Sequence, residues 1–81
     1  MVKIFVDFNN IDSLGRVRLT SGSFDDLEKN GLELNHGLEV SLDDGDELSV
    51  PGIIEFSEQE KVWVAKFDWN KLGDGSGGNF E

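Results

Sequence analysis

The sequence predicts a mainly β fold: a small five-stranded antiparallel sheet, strongly bent, with one short α-helix. Three observations lead to this prediction. Five short stretches alternate apolar and polar residues, turn-forming residues separate them at close spacing, and a single stretch carries helix-capping signals. An SH3-like, half-open barrel is the first choice of architecture, and a plain meander with the helix on one face is the alternative.

The first two strands are predicted at residues 2–8 and 16–20. The segment between them is rich in turn-forming Asn, Asp, Ser and Gly. Apolar residues fall on alternate positions of both stretches, so each strand has one face for a core. We expect the two strands to pair as an antiparallel hairpin, which would bring Arg16 and Arg18 opposite Asp7.

One helix is predicted from Ser23 to Gly31. Ser23 is a favourable N-cap, the acidic residues that follow are stabilised by the helix dipole, and Gly31 suits the left-handed position that ends a helix. Phe24 and Leu27 are expected to face the sheet, because a helix of about two turns needs packing to be stable. A hairpin turn at Asn30 and Gly31 is the alternative.

The remaining strands are predicted at residues 38–43, 48–56 and 61–67. An Asp-Gly turn at residues 44–46 joins the first two of them. Residues 52–69 contain both tryptophans and the largest concentration of apolar side chains, so the rest of the sheet is expected to pack on them. Pro51 has no N–H to donate and is expected at a bulge or an exposed edge. Residues 68–72 are predicted to form a final single turn.

Residues 1–72 are predicted to form a single small β domain, and the Gly-rich residues 73–81 a flexible tail. The chain has no cysteine. Small secreted domains usually need disulfides, so a reducing, cytoplasmic compartment is expected. The N-terminal stretch meets a charge at Lys3, too soon for a signal peptide, and no apolar run approaches the ~18 residues of a membrane span.

The net charge of −10 is concentrated in one part of the chain. Residues 24–60 contain twelve acidic residues and one basic residue, Lys29. Such a field repels phosphate backbones, so direct nucleic-acid binding is not expected. The negative charge either keeps the protein soluble or favours a basic protein or peptide as a partner.

The most acidic stretch is the turn at residues 43–47, whose carboxylates could contact a partner or a hard cation such as calcium. The stretch lacks the spacing and the distant bidentate Glu of a helix–loop–helix calcium site. A solvated turn is therefore preferred, and no metal or cofactor is expected. The candidate partner-binding residues are Asp43, Asp44, Asp46, Glu47 and Ile53.

No catalytic residue is predicted. His36 is the only histidine, and without a cysteine or a second histidine it makes no recognisable zinc site. No Gly-x-Ser-x-Gly motif accompanies it. A chain of this size has little room for a deep cleft around its carboxylates, so the sequence predicts a non-enzymatic protein.

Three aromatic residues near the C-terminal end have two interpretations. Trp63, Phe67 and Trp69 could line a groove for an extended or proline-rich peptide. A short chain needs its aromatic side chains inside, so at least two of the three are expected in the core. Phe5 and Ile53 lie on the less apolar faces of their strands, and exposure there would mark a contact surface.

Five strings of the sequence form a further pattern, in this order: GRVRL, SFDDLEKNGLEL, GLEVSLDD, LSVPGIIEF and WVAKFDW. Together they resemble a loose group of short, acidic bacterial proteins, cyanobacterial ones among them. The group has no known activity, so the resemblance implies no cofactor, substrate or partner. It implies scaffold roles, at turns or in the core, for Gly15, Leu27, Gly37, Gly52, Trp63 and Trp69.

The sequence therefore favours a cytosolic interaction or regulatory module with an acidic surface. The alternative is an inhibitor or immunity-type protein whose acidic face imitates nucleic acid and blocks a basic active site. A third hypothesis is an ion-binding protein, which predicts a melting temperature that rises with added calcium.

Overall fold

The computed structural model describes residues 1–46 and 48–72. Its elements, in chain order, are β1 (Lys3–Phe5), β2 (Val17–Arg18), α1 (Ser21–Lys29), β3 (Glu39–Asp43), β4 (Ser49–Ser57), β5 (Val62–Phe67) and a 3-10 helix (Trp69–Lys71). Within this part of the chain, no helix has the length and apolar character needed to cross a membrane. The tail predicted at residues 73–81 lies outside the described residues.

The strands form one mixed sheet in the order β1-β3-β4-β5-β2, curled into a half-barrel. The prediction of a mainly β fold with five strands, a bent sheet and one short helix is confirmed. One detail is corrected, because β1 runs parallel to β3 while the other neighbouring pairs are antiparallel. Between β1 and β3 the chain passes through β2 and α1, which gives it the length that a parallel crossover needs.

The predicted hairpin between the first two strands is wrong. β2 pairs with β5, at the opposite edge of the sheet from β1. The segment before β2 folds back onto β2 instead: Asp12 N–H donates to the Arg16 carbonyl, and Arg18 N–H donates to the Asn10 carbonyl. This return closes a short loop at small entropic cost. Arg16 and Arg18 then pair with carboxylates other than Asp7.

The helix begins earlier than predicted. Thr20 occupies the N-cap position, and its N–H donates to the Ser23 hydroxyl. Ser23, predicted as the N-cap, lies instead within α1, where it is fully buried and its hydroxyl donates to the Phe5 carbonyl of β1. The predicted end of the helix is confirmed, since Asn30 is the C-cap and Gly31 follows with a φ of 69°.

α1 lies along the free edge of β1. Phe5 N–H donates to Asp26 Oδ2 at 2.8 Å, beside the bond between Ser23 and the Phe5 carbonyl. This position buries Leu27 but leaves Phe24 39% exposed, so the expectation that Phe24 faces the sheet was wrong. On the other outer strand, residues 10–12 bond to β2. Both outer strands therefore have hydrogen-bonding neighbours on their free sides.

β4 is shared by the two halves of the sheet. It pairs with β3 from Ser49 to Ile53 and with β5 from Gly52 to Ser57. Pro51 lies opposite Ser41 in an unbroken register, one residue beyond the last pair with β5. Of the two predicted places for Pro51, the structure shows the exposed edge rather than the bulge.

The core lies on the inner face of the sheet. Its most buried apolar residues are Ile4, Val6, Val17, Leu27, Val40, Leu42, Val50, Ile54 and Ala65. Trp63 and Phe67 pack against this cluster, which agrees with the prediction that two of the three aromatic residues fill the core. Trp69 is 48% exposed, and its Nε1–H donates to the Gly15 carbonyl at 2.9 Å. Trp69 therefore ties the final turn to the loop before β2.

Candidate interaction surface

The outer face of the sheet is the side of β1, β3 and β4 that is turned away from the core. The strand register aligns its side chains, together with Lys66 of β5, into three rows: Phe5–Asp43–Ser49, Lys3–Ser41–Pro51 and Glu39–Ile53–Lys66. In each strand these residues alternate with core residues. All of them are exposed or half-buried, so this part of the sheet has an open side.

Two apolar side chains mark opposite ends of the outer face. Phe5 is 39% exposed and Ile53 is 37% exposed. The row of Phe5 meets β4 at Ser49, and Ile53 lies four positions further along that strand. At ~3.3 Å per residue, the two rows are about 13 Å apart. From the sequence, exposure at these two positions was the condition for a contact surface, and both side chains meet that condition.

A groove of about 410 Å³ lies beside Ile53. Its apolar part is supplied by Met1, Pro51, Ile53 and Phe67. The charged side chains that line it are Glu39, Lys66, Asp68 and Lys71. The groove therefore suits a ligand that presents an apolar group next to a charged one.

A smaller cavity of about 300 Å³ lies at the Phe5 end of the outer face, lined by Lys3, Phe5, Asp26, Asp43 and Gly45. Asp26 is held there by its bond from Phe5 N–H. Asp43 Oδ2 lies 3.7 Å from Nζ of Lys3, whose side chain is 69% exposed. Two carboxylates next to a half-exposed aromatic ring suit a cationic group.

The acidic turn after β3 uses its carboxylates to hold its own backbone. Asp43 Oδ1 accepts a hydrogen bond from Gly45 N–H at 2.6 Å. Asp44 Oδ1 accepts from the N–H groups of Asp46 and Leu48, at 2.8 and 3.2 Å. Such bonds favour turns. Over residues 1–46 and 48–72, no group of three or more His, Cys, Asp or Glu side chains is placed to hold a metal ion.

The candidate residues do not come together in one site. Asp43 and Ile53 share the outer face but lie at its opposite ends. Asp44 and Asp46 belong to the turn beyond the sheet. Glu47 lies outside the described residues. The acidic turn is therefore a neighbour of Phe5 and not of Ile53.

Several groove residues were not among the sequence candidates, namely Glu39, Lys66, Phe67 and Lys71. Alternation along the strands places Glu39 on the outward side of β3. The pairing of Ile53 with both Glu39 and Lys66 depends on the register of three strands. These groove residues could not be identified from the sequence, because the register between the strands was not known.

Charged side chains cover the outer side of β5. Arg16 Nε lies 2.9 Å from Asp12 Oδ2, and Arg16 Nη1 lies 3.1 Å from Glu55 Oε1. Arg18 donates to both carboxylate oxygens of Glu60, at 2.7 and 2.9 Å. Val64, whose strand partners are Arg18 and Glu55, is fully buried although it lies outside the core cluster. This network of ion pairs therefore shields the outer side of β5 from solvent.

Two carboxyl groups of this network have perturbed acidity. Burial opposes ionisation of Asp12, but hydrogen bonds from the N–H groups of Arg16 and Leu14 and from the Arg16 guanidinium outweigh it, so the pKa of Asp12 is lowered. Hydrogen bonds from Arg18 lower the pKa of Glu60. Both shifts result from bonds that hold the fold together, so they indicate a structural role.

His36 also serves the fold. Its Nδ1 accepts a hydrogen bond from Phe56 N–H at 3.3 Å, and the next residue, Gly37, donates its N–H to the Ile54 carbonyl. These bonds attach the turn before β3 to β4. The side chain is exposed and has this backbone N–H as its partner.

No protein-family model, curated protein or solved structure matches this chain. The resemblance to short, acidic bacterial proteins therefore stays a prediction.

Proposed function

We propose that this chain is a non-enzymatic, cytoplasmic interaction module that binds a basic protein or peptide through its outer face. The observation that carries the proposal is the exposure of Phe5 and Ile53 on that face, each beside carboxylates. Phe5 lies with Asp26 and Asp43, and Ile53 lies opposite Glu39. Exposed apolar side chains rimmed by polar ones are typical of contact surfaces.

The charge of the chain supports a basic partner. The net charge is −10, and most of the acidic residues lie between residues 24 and 60, which form α1, β3, β4 and their turns. Charge complementarity speeds association and selects among partners. In this proposal the carboxylates attract and orient the partner, while Phe5 and Ile53 supply apolar contact.

The covered edges of the sheet support contact through side chains. A peptide that adds a strand needs free N–H and carbonyl groups on an outer strand. Both backbone groups of Phe5 in β1 are bonded to α1, and β2 is bonded to residues 10–12. A partner that engages the outer face leaves these bonds in place.

Affinity capture from cytosolic extract at low and high salt, followed by binding measurements with the purified partner, tests the proposal. Two matched pairs of variants locate the surface. Phe5→Ser is matched by Phe24→Ser, since both rings are 39% exposed, and Ile53→Ser by Val62→Ser, at 37% and 38%. We expect Phe5→Ser and Ile53→Ser to weaken binding about tenfold, as loss of a contact worth roughly 1.4 kcal/mol does.

The control variants should bind with nearly the affinity of the wild type. Equal weakening by Phe24→Ser and Val62→Ser would place the contact elsewhere. Failure to capture any specific partner at either salt concentration would contradict the proposal as a whole.

A second candidate function is an inhibitor or immunity-type protein that imitates nucleic acid. The exposed carboxylates of Asp25, Glu28 and Asp46 favour it, because they lie outside the outer face and add to the negative surface. Such binding depends mainly on charge, so it would weaken steeply with salt and respond little to Phe5→Ser or Ile53→Ser. The variants described above therefore separate the two functions.

A further inference from the structure

We propose that the cavity at the Phe5 end of the outer face binds an arginine side chain of the partner, and that Lys3 occupies part of this site in the absence of a partner. The cavity has a volume of about 300 Å³ and is lined by Lys3, Phe5, Asp26, Asp43 and Gly45. The proposed function is the premise, since the arginine is the group that a basic partner presents to this end of the outer face.

The two carboxylates of the cavity are held in place by backbone groups. Asp26 Oδ2 accepts a hydrogen bond from Phe5 N–H at 2.8 Å, and Asp43 Oδ1 accepts one from Gly45 N–H at 2.6 Å. Each carboxylate uses one oxygen for its bond, so its other oxygen can accept from a ligand. Acceptors that are already fixed lose little freedom when a cationic donor binds, which favours the binding.

The Phe5 ring lies between two glycines. A Cβ atom at Gly22 of α1 would lie 3.0 Å from Phe5 Cδ2, and one at Gly45 would lie 3.6 Å from Phe5 Cε1. The ring is therefore close to a glycine at each of two opposite edges, yet Phe5 remains 39% exposed. An aromatic ring that is held in position and keeps exposed surface can bind a cation.

Lys3 shows that the cavity accommodates a cationic group. Its Nζ lies 3.7 Å from Asp43 Oδ2, and its side chain is 69% exposed. An ion pair as exposed as this one contributes little to stability. A cationic ligand can therefore displace the Lys3 ammonium, which moves into water at little cost.

Arginine is the cation that gains most from this exchange. A lysine of the partner would replace one ammonium group by another and would make the same kind of contact. A guanidinium is more weakly hydrated, stacks on aromatic rings and carries several N–H donors, so it can contact Phe5 and donate to Asp26 and Asp43 together. The site should therefore prefer arginine to lysine.

Nuclear magnetic resonance titrations of the purified full chain test the proposal without a partner. The ligands are N-acetyl-arginine amide, N-acetyl-lysine amide and N-acetyl-citrulline amide, which resembles the arginine compound in shape but is uncharged. At constant ionic strength, we expect the arginine compound to shift the amide signals of Phe5, Asp43 and Gly45 saturably. The lysine compound should bind about two- to fivefold more weakly, because it lacks the stacking contact. The citrulline compound should leave the signals unchanged.

Variants of the chain locate the bound arginine. Asp43→Asn retains an oxygen for the Gly45 N–H but loses the charge, so it should weaken binding about two- to fivefold. Lys3→Met removes the competing ammonium and should strengthen binding by a similar factor. Lys61→Met is the matched control for loss of one positive charge, since the Lys61 side chain is 73% exposed and pairs with Glu58 on the hairpin. This control should bind arginine like the wild type.

The absence of a saturable shift with the arginine compound would overturn the proposal, as would equal responses to the arginine and citrulline compounds. Equal affinity for lysine would overturn the choice of arginine, and equal strengthening in Lys3→Met and Lys61→Met would overturn the role of Lys3.

The same measurements separate this site from the proposed function. Arginine binding at Phe5, together with failure to capture any specific partner, would contradict the proposed function alone. A captured partner whose binding is weakened by Phe5→Ser, together with no binding of the arginine compound, would overturn the arginine site alone.

Discussion

At the scale of single residues, several polar side chains stabilise the fold by making more than one hydrogen bond. Asp12 is the clearest case, because its carboxylate accepts from Leu14 N–H, Arg16 N–H and the Arg16 guanidinium. Its side chain is only 2% exposed. Buried ionised groups are tolerated when every bond is made, and removing one partner leaves the others unsatisfied.

The Asp12→Asn substitution is expected to lower the free energy of unfolding by about 1–3 kcal/mol at pH 7. The reason is that the amide cannot accept hydrogen bonds from all three of these donors. Urea denaturation measures the change. Asp25→Asn, on the exposed side of α1, serves as the control for loss of one negative charge and should change stability little. Equal effects of the two substitutions would show that the Asp12 bonds contribute nothing specific.

The lowered pKa of Asp12 predicts a dependence on pH. The folded carboxyl has a pKa below its ordinary value of 3.8, so the unfolded chain binds more protons around that pH. The stabilisation is complete above pH 3.8 and is lost as pH falls from there through the folded pKa. The pKa of Glu60 is also lowered, so protonation of Glu60 adds to this loss of stability at low pH. Unfolding measured between pH 5 and pH 2 should show a shallower decline in Asp12→Asn than in the wild type.

Lys61 carries an unfavourable backbone conformation. Among the described residues it is the non-glycine residue with a positive φ, 61°, at the end of the hairpin between β4 and β5. Lys61→Gly is expected to stabilise the protein by up to about 1 kcal/mol, because glycine adopts this conformation without strain. Calorimetry should show a melting temperature a few degrees higher. Lys61→Ala retains the strain but removes the charge, so an equal gain in that variant would contradict the explanation.

At the scale of elements, β4 is the strand on which the sheet depends. It pairs with β3 along its first part and with β5 along its second, so it connects the two halves of the half-barrel. Gly52 stands where these pairings overlap. A Cβ atom at Gly52 would lie 2.6 Å from Leu42 Cδ1 and 3.2 Å from the Lys66 carbonyl oxygen. The absence of a side chain at this position therefore allows Leu42 to fill the core beneath β4.

Gly52→Ala is expected to lower the free energy of unfolding by about 1–3 kcal/mol, the usual effect of overpacking. Leu42 is fully buried and the Lys66 oxygen belongs to the backbone, so neither moves away freely. Chemical denaturation of Gly52→Ala, Leu42→Val and the double variant measures the conflict. The double variant should lose less stability than the sum of the single ones, since the shorter side chain relieves the contact. Strict additivity would show that the two side chains do not collide.

At the scale of the whole molecule, charge is the dominant property. The net charge is −10 for 81 residues. Some carboxylates are compensated locally by Arg16, Arg18 and the lysines that pair with Asp43, Glu55 and Glu58. Many others repel one another, and self-repulsion of this kind destabilises the compact state.

Added NaCl is therefore expected to raise the melting temperature at pH 7, because screening weakens the repulsion. The same titration near the sequence pI of about 4.3 is the control. With the net charge close to zero, salt should have little effect there or should lower stability by screening the ion pairs. A melting temperature that falls with salt at pH 7 would show that ion pairs outweigh the net repulsion.

Local features of the fold could be predicted from the sequence, but the pairing of distant strands could not. The Asp-Gly turn after β3, the helix end at Gly31 and the place of Phe5 on the less apolar face of its strand were all predicted from local rules on turns, caps and alternation. The hairpin of the first two strands was predicted by proximity in sequence and was wrong, because hydrogen bonds to residues 10–12 on one side and to β5 on the other fix β2 elsewhere.

In the candidate surface, too, some features were predicted from the sequence and others were not. Alternation identified Ile53 as outward facing. The groove around Ile53 was not predicted, because Glu39, Lys66 and Lys71 come from three different elements that only the strand register and the final turn bring together. Asp43, Asp44 and Asp46 were identified by their charge, but their backbone bonds within the turn became visible only in three dimensions.

The sequence by itself determined the strand-rich composition of the fold, its single short helix, its turns and its negative charge, because each of these depends on neighbouring residues and their chemistry. The tertiary structure alone decided the order of the strands, the parallel pair of β1 with β3, the burial of Ser23 and Asp12, and the groove beside Ile53. These features depend on contacts between residues far apart in the chain, and the free energy of such contacts appears only when the whole sheet is assembled.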